Sequence, residues 1–309
     1  MNNKFLIVLA LALILSACGT PATPVATETA VPTATVTATA TQPPTQTPAP
    51  TDTPAPTPLP GKVVLPIDTL GSGNPWLPYD KSAIPGVAYF AFNTQKAPFN
   101  SALVRQAFAA ATDRQVVIDL YTKYGAKDLH PATSLTPPEV LGRDLYGEVG
   151  IPFDPSNAKE LMTEAGYQDT SSFPEVTLMV NVGGDAAPGA HQNVAEAVAK
   201  MWRDNLGINV KIVTVPWSNY QERLKTDHPD VFRIGWIADY NDPQNFLGDI
   251  FEQINYGNFN NSEYFNIVNK AGNTSGNPLL RQELYLQAEQ ILCETEAAVI
   301  PLYHYTYKP

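Results

Sequence analysis

The stretch Ala190-His191-Gln192-Asn193-Val194-Ala195-Glu196-Ala197-Val198-Ala199-Lys200-Met201-Trp202-Arg203-Asp204-Asn205-Leu206-Gly207-Ile208-Asn209-Val210-Lys211-Ile212-Val213-Thr214-Val215 changes its hydrophobic period once, at Gly207. Before it, Val194, Ala197, Val198, Met201 and Trp202 share one face at helical spacing, predicting a helix over about 190–206. After it, Ile208 to Val215 alternates with the period of a strand. The same alternation extends in both directions. Val176–Val180 and Val231–Trp236 read as short strands. Helices are expected at Asn100/Ser101 through Phe108, from Asp113 to Gly125, and from Asp154-Pro155 to Gly166, each with its cap or stop residue. Further helices are expected near 243–252, 263–271 and 279–294, before a last strand at 298–303. Strands alternating with helices predict an α/β lobe, a mixed sheet flanked by helices.

Composition separates this lobe from what precedes it. Eleven of the 29 prolines fall between Pro21 and Pro60, among threonines and alanines, with Glu28 and Asp52 as the only charges. Such a segment buries too little apolar surface to offset the entropy of ordering it, so a disordered linker is expected over 18–60 and a folded domain over 61–309. With 19 Lys and Arg against 30 Asp and Glu, the net charge of −11 excludes a basic nucleic-acid face. Two cysteines, Cys18 and Cys293, exclude a disulfide scaffold and a Cys-based zinc site.

Residues 1–17 have the form of an export signal: Lys4, an apolar run from Phe5 to Leu15, and a small-residue exit. The run is too short for a spanning helix, which needs roughly 20 apolar residues. Leu15-Ser16-Ala17-Cys18 resembles a bacterial lipobox, which implies a diacylglycerol on Cys18 and a lipid-anchored, extracytoplasmic protein. The Thr/Pro segment would then be a semi-extended tether, at about 3 Å per residue where polyproline-like.

Several catalytic patterns are missing. The sequence contains no phosphate loop, no His-Glu-x-x-His and no Gly-x-Ser-x-Gly elbow. His130, His191, His228 and His304 are scattered, so neither a metal nor another cofactor is implied. Cys293 reads as a small buried hydrophobe on a helix stripe. Asp239 and Asp242 have the residue types of a general acid and base but no third group to orient them. An enzyme is therefore the less expected class.

Chemistry becomes specific at Trp217-Ser218-Asn219-Tyr220 and at Arg233-Ile234-Gly235-Trp236-Ile237-Ala238-Asp239-Tyr240-Asn241-Asp242-Pro243. A strand ending this way sets an aromatic, a backbone edge and a carboxylate side by side, which suits an extended ligand with a free amine. The same residues also suit a core Trp236 and an Asp239 that caps a turn, and residue chemistry alone leaves both open.

This region resembles the family 5 solute-binding proteins of ABC transporters, the peptide-, dipeptide- and nickel-binding lipoproteins. Family-like phrases run in order through the chain. They include Tyr89-Phe90-Ala91-Phe92-Asn93-Thr94, Val104-Arg105-Gln106-Ala107-Phe108, His130-Pro131-Ala132, Leu206-Gly207-Ile208-Asn209-Val210 and Ile300-Pro301-Leu302-Tyr303. The resemblance implies a class II periplasmic-binding-protein-like lobe that binds a peptide or similar solute and hands it to permease subunits. It further implies that Asp239 takes the ligand's α-ammonium, that the backbone at Trp236 and Ile237 pairs with the peptide main chain, and that Trp217 lines a side-chain pocket. Arg233 and His191 would serve ligand carboxylates, although a strand Arg can instead pair with a neighbouring carboxylate and a His at a helix start can be uninvolved. A second Arg of the family pattern is replaced by Leu224.

Family members are usually much longer and close two lobes over the ligand. The resemblance covers about residues 85–309, which corresponds to the second lobe alone. A surface lipoprotein retaining the lobe as an interaction module is thus a competing expectation, and an Asp239/Asp242 hydrolase a third.

Overall fold

The apolar run Ile84–Phe92 forms strand β1, buried along nearly its whole length. Its side chains alternate between two cores. Val87, Tyr89 and Ala91 face one, and Ala88, Phe90 and Phe92 face the other. A strand covered on both faces needs no polar alternation, which is why its sequence carries none.

The computed structural model describes residues 84–307. The expected signal peptide at 1–17, Cys18, the linker at 18–60 and the first part of the 61–309 domain lie outside the described residues. In chain order, β1 is followed by helices α1 (Ala102–Ala110) and α2 (Arg114–Lys123), strand β2 (His130–Pro131), and α3 (Pro138–Leu141) and α4 (Pro155–Glu164). Then come β3 (Val176–Val182), α5 (Ala190–Leu206), β4 (Val210–Pro216), α6 (Trp217–Asp227) and β5 (Val231–Ile237). Four helices, α7 (Gln244–Leu247), α8 (Asp249–Gln253), α9 (Ser262–Asn273) and α10 (Pro278–Gln290), precede the last strand, β6 (Val299–Tyr307).

The six strands make one mixed sheet in the order β2-β6-β1-β5-β3-β4. β3, β4 and β5 are mutually parallel, whereas β1 is antiparallel to both β5 and β6. One core, with Phe99, Phe108, Val194 and Trp202, lies under α1, α2, α4 and α5. The other, with Phe246, Tyr264, Tyr285 and Leu292, lies under α6 to α10. This three-layer arrangement is the expected α/β lobe.

Local chemistry explains most element ends. Asp113 accepts from the backbone N–H groups of Gln115 and Val116, and Asp154 from those of Ser156 and Asn157, so both helix starts are capped as expected. Ser101 stands at the start of α1 but its hydroxyl makes no cap bond. On α5 the buried stripe is Val194, Ala195, Val198, Ala199, Trp202 and Leu206, with the small alanines at 195 and 199 replacing the expected Ala197 and Met201. Trp202 anchors that helix: its indole N–H donates to Phe108 O at 3.1 Å and Thr112 Oγ1 at 2.9 Å. The expected 243–252 helix is broken at Gly248 into α7 and α8. The 279–294 helix gives way at Ile291 to one π-helical turn carrying the buried Cys293. Among the described residues no helix is long and apolar enough to cross a membrane.

Candidate functional site

β5 is the switch point of the sheet, parallel to β3 on one side and antiparallel to β1 on the other. The carboxyl ends of β3, β4 and β5 lie at the same edge of the sheet, where ligands bind in open α/β folds. The residues singled out in the sequence leave exactly those strand ends or follow them: Trp217 after β4, Asp239 after β5, and His191 after the loop that follows β3.

The register of β5 shows which backbone groups are available there. Antiparallel neighbours alternate between pairs that exchange hydrogen bonds and pairs that do not. Ala238 N donates to Pro85 O and Asn93 N to Asp230 O. The bonded pairs between them are therefore Val87–Trp236, Tyr89–Ile234 and Ala91–Phe232. Trp236 and Ile234 commit their backbone groups to β1, while Arg233, Gly235 and Ile237 turn theirs toward β3. However, β3 pairs with β5 only at Leu178–Val231 and Met179–Phe232. Past Phe232 the two parallel strands part, and Arg233 O is taken by the Tyr220 hydroxyl at 2.8 Å. Gly235 and Ile237 are left facing a gap. Of the two residues named in the sequence, Trp236 commits its backbone groups to β1, whereas Ile237 turns its own away from β1, as Gly235 does.

A buried polar cluster closes the inner end of the gap. Arg233, only 4% exposed, donates from Nη2 to Asp185 Oδ2 at 2.7 Å and from Nη1 to Asn181 Oδ1 at 3.1 Å. Its Nε is buried without a hydrogen-bond partner. His191 sits 2.8 Å from Asp185 Oδ1 through Nε2 and 2.6 Å from the Tyr121 hydroxyl through Nδ1. Burial lowers the His191 pKa against the opposing pull of the Asp185 hydrogen bond, so the ring is neutral near pH 7. The network then assigns the proton to Nε2, with Nδ1 accepting from Tyr121. Burial alone would raise the Asp185 carboxyl, but the His191 hydrogen bond and the Arg233 charge outweigh it and hold the group well below the usual carboxylate range.

The outer end is organised by Asn245, which is fully buried. Its Oδ1 accepts from Trp236 Nε1 at 2.9 Å and from Asp239 N at 3.0 Å. Its Nδ2 donates to Asp249 Oδ2 at 3.0 Å and more weakly to Asp239 Oδ2 at 3.4 Å. The Asp239 carboxylate is exposed and keeps acceptor capacity beyond that long contact. Trp217, half exposed, stacks on Tyr220 and lies over Gly184, where an added Cβ would come within 3.1 Å of the indole. Asp242 differs from Asp239: Arg281 holds it with two bonds, at 2.8 and 2.9 Å. Among the described residues no group of three His, Cys, Asp or Glu side chains could hold a metal ion.

The family described as "Bacterial extracellular solute-binding proteins, family 5 Middle" matches residues 33–258, more than half of the chain. The chain is a member of solute-binding protein family 5. Among its relatives, the periplasmic murein peptide-binding protein MppA of Escherichia coli is 34% identical over 231 residues, covering 72% of this chain and 40% of the relative. The oligopeptide-binding protein OppA of Bacillus subtilis is 32% identical over 232 residues, covering 72% and 41%. A crystal structure of a periplasmic oligopeptide-binding protein (OppAIV) from Borrelia burgdorferi superposes with a TM-score of 0.61 at 26% identity, over 73% of this chain and 44% of that one. The chain spans about two fifths of the length of the curated relatives it matches. Family 5 proteins are binding proteins and not enzymes, in accord with the engagement of Asp242.

For this family 5 chain the expected site residues fall into two groups. Trp217, Trp236, Ile237 and Asp239 stand at or just after the carboxyl ends of β4 and β5 and are exposed or half-buried. Arg233 and His191 lie at the inner end of the gap, and the neighbouring carboxylate that a strand Arg can pair with is present as Asp185. His191 is buried and bonded on both nitrogens, not idle at an exposed helix start. The sequence reading missed Gly235, Asn245, Asp185, Asn181 and Tyr121. Gly235 was within reach, since strand alternation alone groups it with Ile237. Tyr121 contacts His191 across 70 residues of chain, a meeting without a local signal.

Proposed function

We propose that this protein is the substrate-binding lipoprotein of an ABC importer, binding peptides or a similar small solute with a free amine and delivering it to permease subunits. The single observation that carries this is the β5 edge at Gly235 and Ile237, open toward the gap and leading to the exposed carboxylate of Asp239. An extended chain entering there adds a strand to that edge, and its amine meets Asp239. The relatives MppA, a murein peptide-binding protein, and OppA, an oligopeptide-binding protein, support the ligand class. The signal-like residues 1–17 and the lipobox-like Cys18 support an extracytoplasmic, lipid-anchored location on a bacterial membrane. Two acyl chains hold a protein stably on a membrane where one does so marginally.

Titration of tryptophan fluorescence tests the reading, because Trp217 and Trp236 border the gap. Peptides with a free amino terminus shift the emission. N-acetylation, or Asp239→Asn, weakens binding by about 10–100-fold, the worth of one charge-assisted hydrogen bond. Absence of any response to a mixed peptide pool at millimolar concentration overturns the proposal.

A further inference from the structure

Between β3 and α5 the chain makes a loop, Gly183 to Gly189, in which Gly183, Gly184 and Gly189 all adopt positive φ. This loop lifts Asp185 back over the end of β5. Its carboxylate receives Arg233 Nη2 at 2.7 Å, Arg233 Nη1 at 3.4 Å, His191 Nε2 at 2.8 Å and Asn181 Nδ2 at 3.4 Å. Four donors from β3, α5 and β5 therefore converge on one planar anion, and none of them belongs to the loop that carries it. The donors are fixed and buried: Arg233, His191 and Asn181 are each under 5% exposed. The acceptor is more open, the Asp185 side chain being 43% exposed. Gly235 lies alongside, and a Cβ placed on it would stand 3.6 Å from Asp185 Oδ2. The carboxylate thus stands in the gap itself, beside the backbone edge assigned to the ligand.

We propose that Asp185 is a tethered carboxylate filling an anion cradle made by Arg233, His191 and Asn181, and that it selects ligands presenting no free carboxylate at this end of the gap. The proposal rests on the peptide-binding reading of the Gly235–Asp239 edge and adds its specificity. A ligand carboxylate entering here meets a cradle whose charge is already neutralised, and it meets the like charge of Asp185. A carboxamide, or a peptide that continues past the cradle, brings no such charge. Arg233 and His191 consequently position Asp185 and do not bind a ligand terminus while it is in place.

Two measurements on the full chain test this, using wild type, Asp185→Ala and the second truncation Asp185→Ser. In the first, thermal unfolding is followed in sodium acetate, in sodium chloride of equal ionic strength, and in chloride with added acetamide. Acetate raises the Tm of Asp185→Ala above both controls and leaves wild type unmoved, because only the variant has an empty cradle for a carboxylate. In the second, one tripeptide is compared as free acid and as C-terminal amide. Wild type binds the two within about threefold, whereas Asp185→Ala prefers the acid by at least about tenfold, one charge-assisted hydrogen bond. Lack of an acetate-specific gain in Asp185→Ala overturns the proposal, and so does a tenfold acid preference in wild type. If neither peptide binds wild type, the peptide reading fails while the acetate comparison still decides the cradle. If Asp185→Ala does not fold, Asp185→Ser, whose short side chain also leaves the cradle empty, carries both measurements.

Discussion

Asn245 touches both halves of what the outer gap needs, an oriented Trp236 and an oriented Asp239, so its removal is an informative perturbation. In Asn245→Ala the backbone N–H of Asp239 and the indole N–H of Trp236 lose their shared acceptor, at 3.0 and 2.9 Å. A donor left unpaired in a buried setting costs about 1–3 kcal/mol. Trp236 is only half-buried, so water can reach its indole and that share falls at the lower end. Asp249 also loses a donor at 3.0 Å. Together these give a destabilisation of about 2–4 kcal/mol, or about 5–15 °C in Tm for a domain of this size. Urea denaturation monitored by far-UV circular dichroism measures it, with the midpoint falling and the slope unchanged. Peptide affinity falls too, although Asn245 is buried beneath the gap, because Asp239 loses its anchor. A variant within about 0.5 kcal/mol of wild type, the usual scale of a neutral surface change, refutes this account of Asn245.

Other outcomes follow from the same contacts. His304 is buried, and its Nε2 lies 3.0 Å from Ser134 O. Burial depresses its pKa from 6.5 to about 4, so its contribution is intact above pH 6.5 and is lost as pH falls toward 4. That amounts to about 3 kcal/mol over the window, and His304→Gln should flatten the decline in urea midpoint; parallel curves for the two proteins would count against it. Gly184→Ala forces a side chain onto a residue at φ +94° and against the Trp217 ring. It should lower Tm and alter Trp217 emission, and an unchanged emission spectrum would show that the ring does not rest there. Asp242→Asn weakens a two-bond pair with Arg281 that is partly buried. It should cost about 1–3 kcal/mol in a denaturation series while leaving peptide affinity within about threefold, separating Asp242 from Asp239 in role.

Hydrophobic period located most of the elements. The 190–206 helix is placed to the residue, and the Asp caps at 113 and 154 hold, because those signals are local. Four elements, β1, β2, α3 and α6, escaped the pattern, and two of them did so for opposite reasons. β1 is buried on both faces and shows no alternation, while α6 is so polar that only Tyr220 and Leu224, four residues apart, are buried. For the site, the phrase around Trp236 and Asp239 falls at the carboxyl end of β5. The side of the backbone that is open depended on pairing with β1, nearly 150 residues earlier, and no local pattern records such a register. Asp185 likewise gains its meaning only when the loop after β3 returns it to Arg233. In sequence it is one carboxylate among glycines and alanines.

The central claim is that ligand main chain pairs with β5 at Gly235 and Ile237 and reaches Asp239. The most direct measurement is amide NMR of the isotopically labelled protein, titrated with a peptide bearing a free amino terminus. The account predicts that the amides of Gly235 and Ile237 shift and become protected from hydrogen exchange. Those of Ile234 and Trp236, already bonded to β1, should change far less. Protection elsewhere, with Gly235 and Ile237 still exchanging freely at saturating peptide, would contradict it.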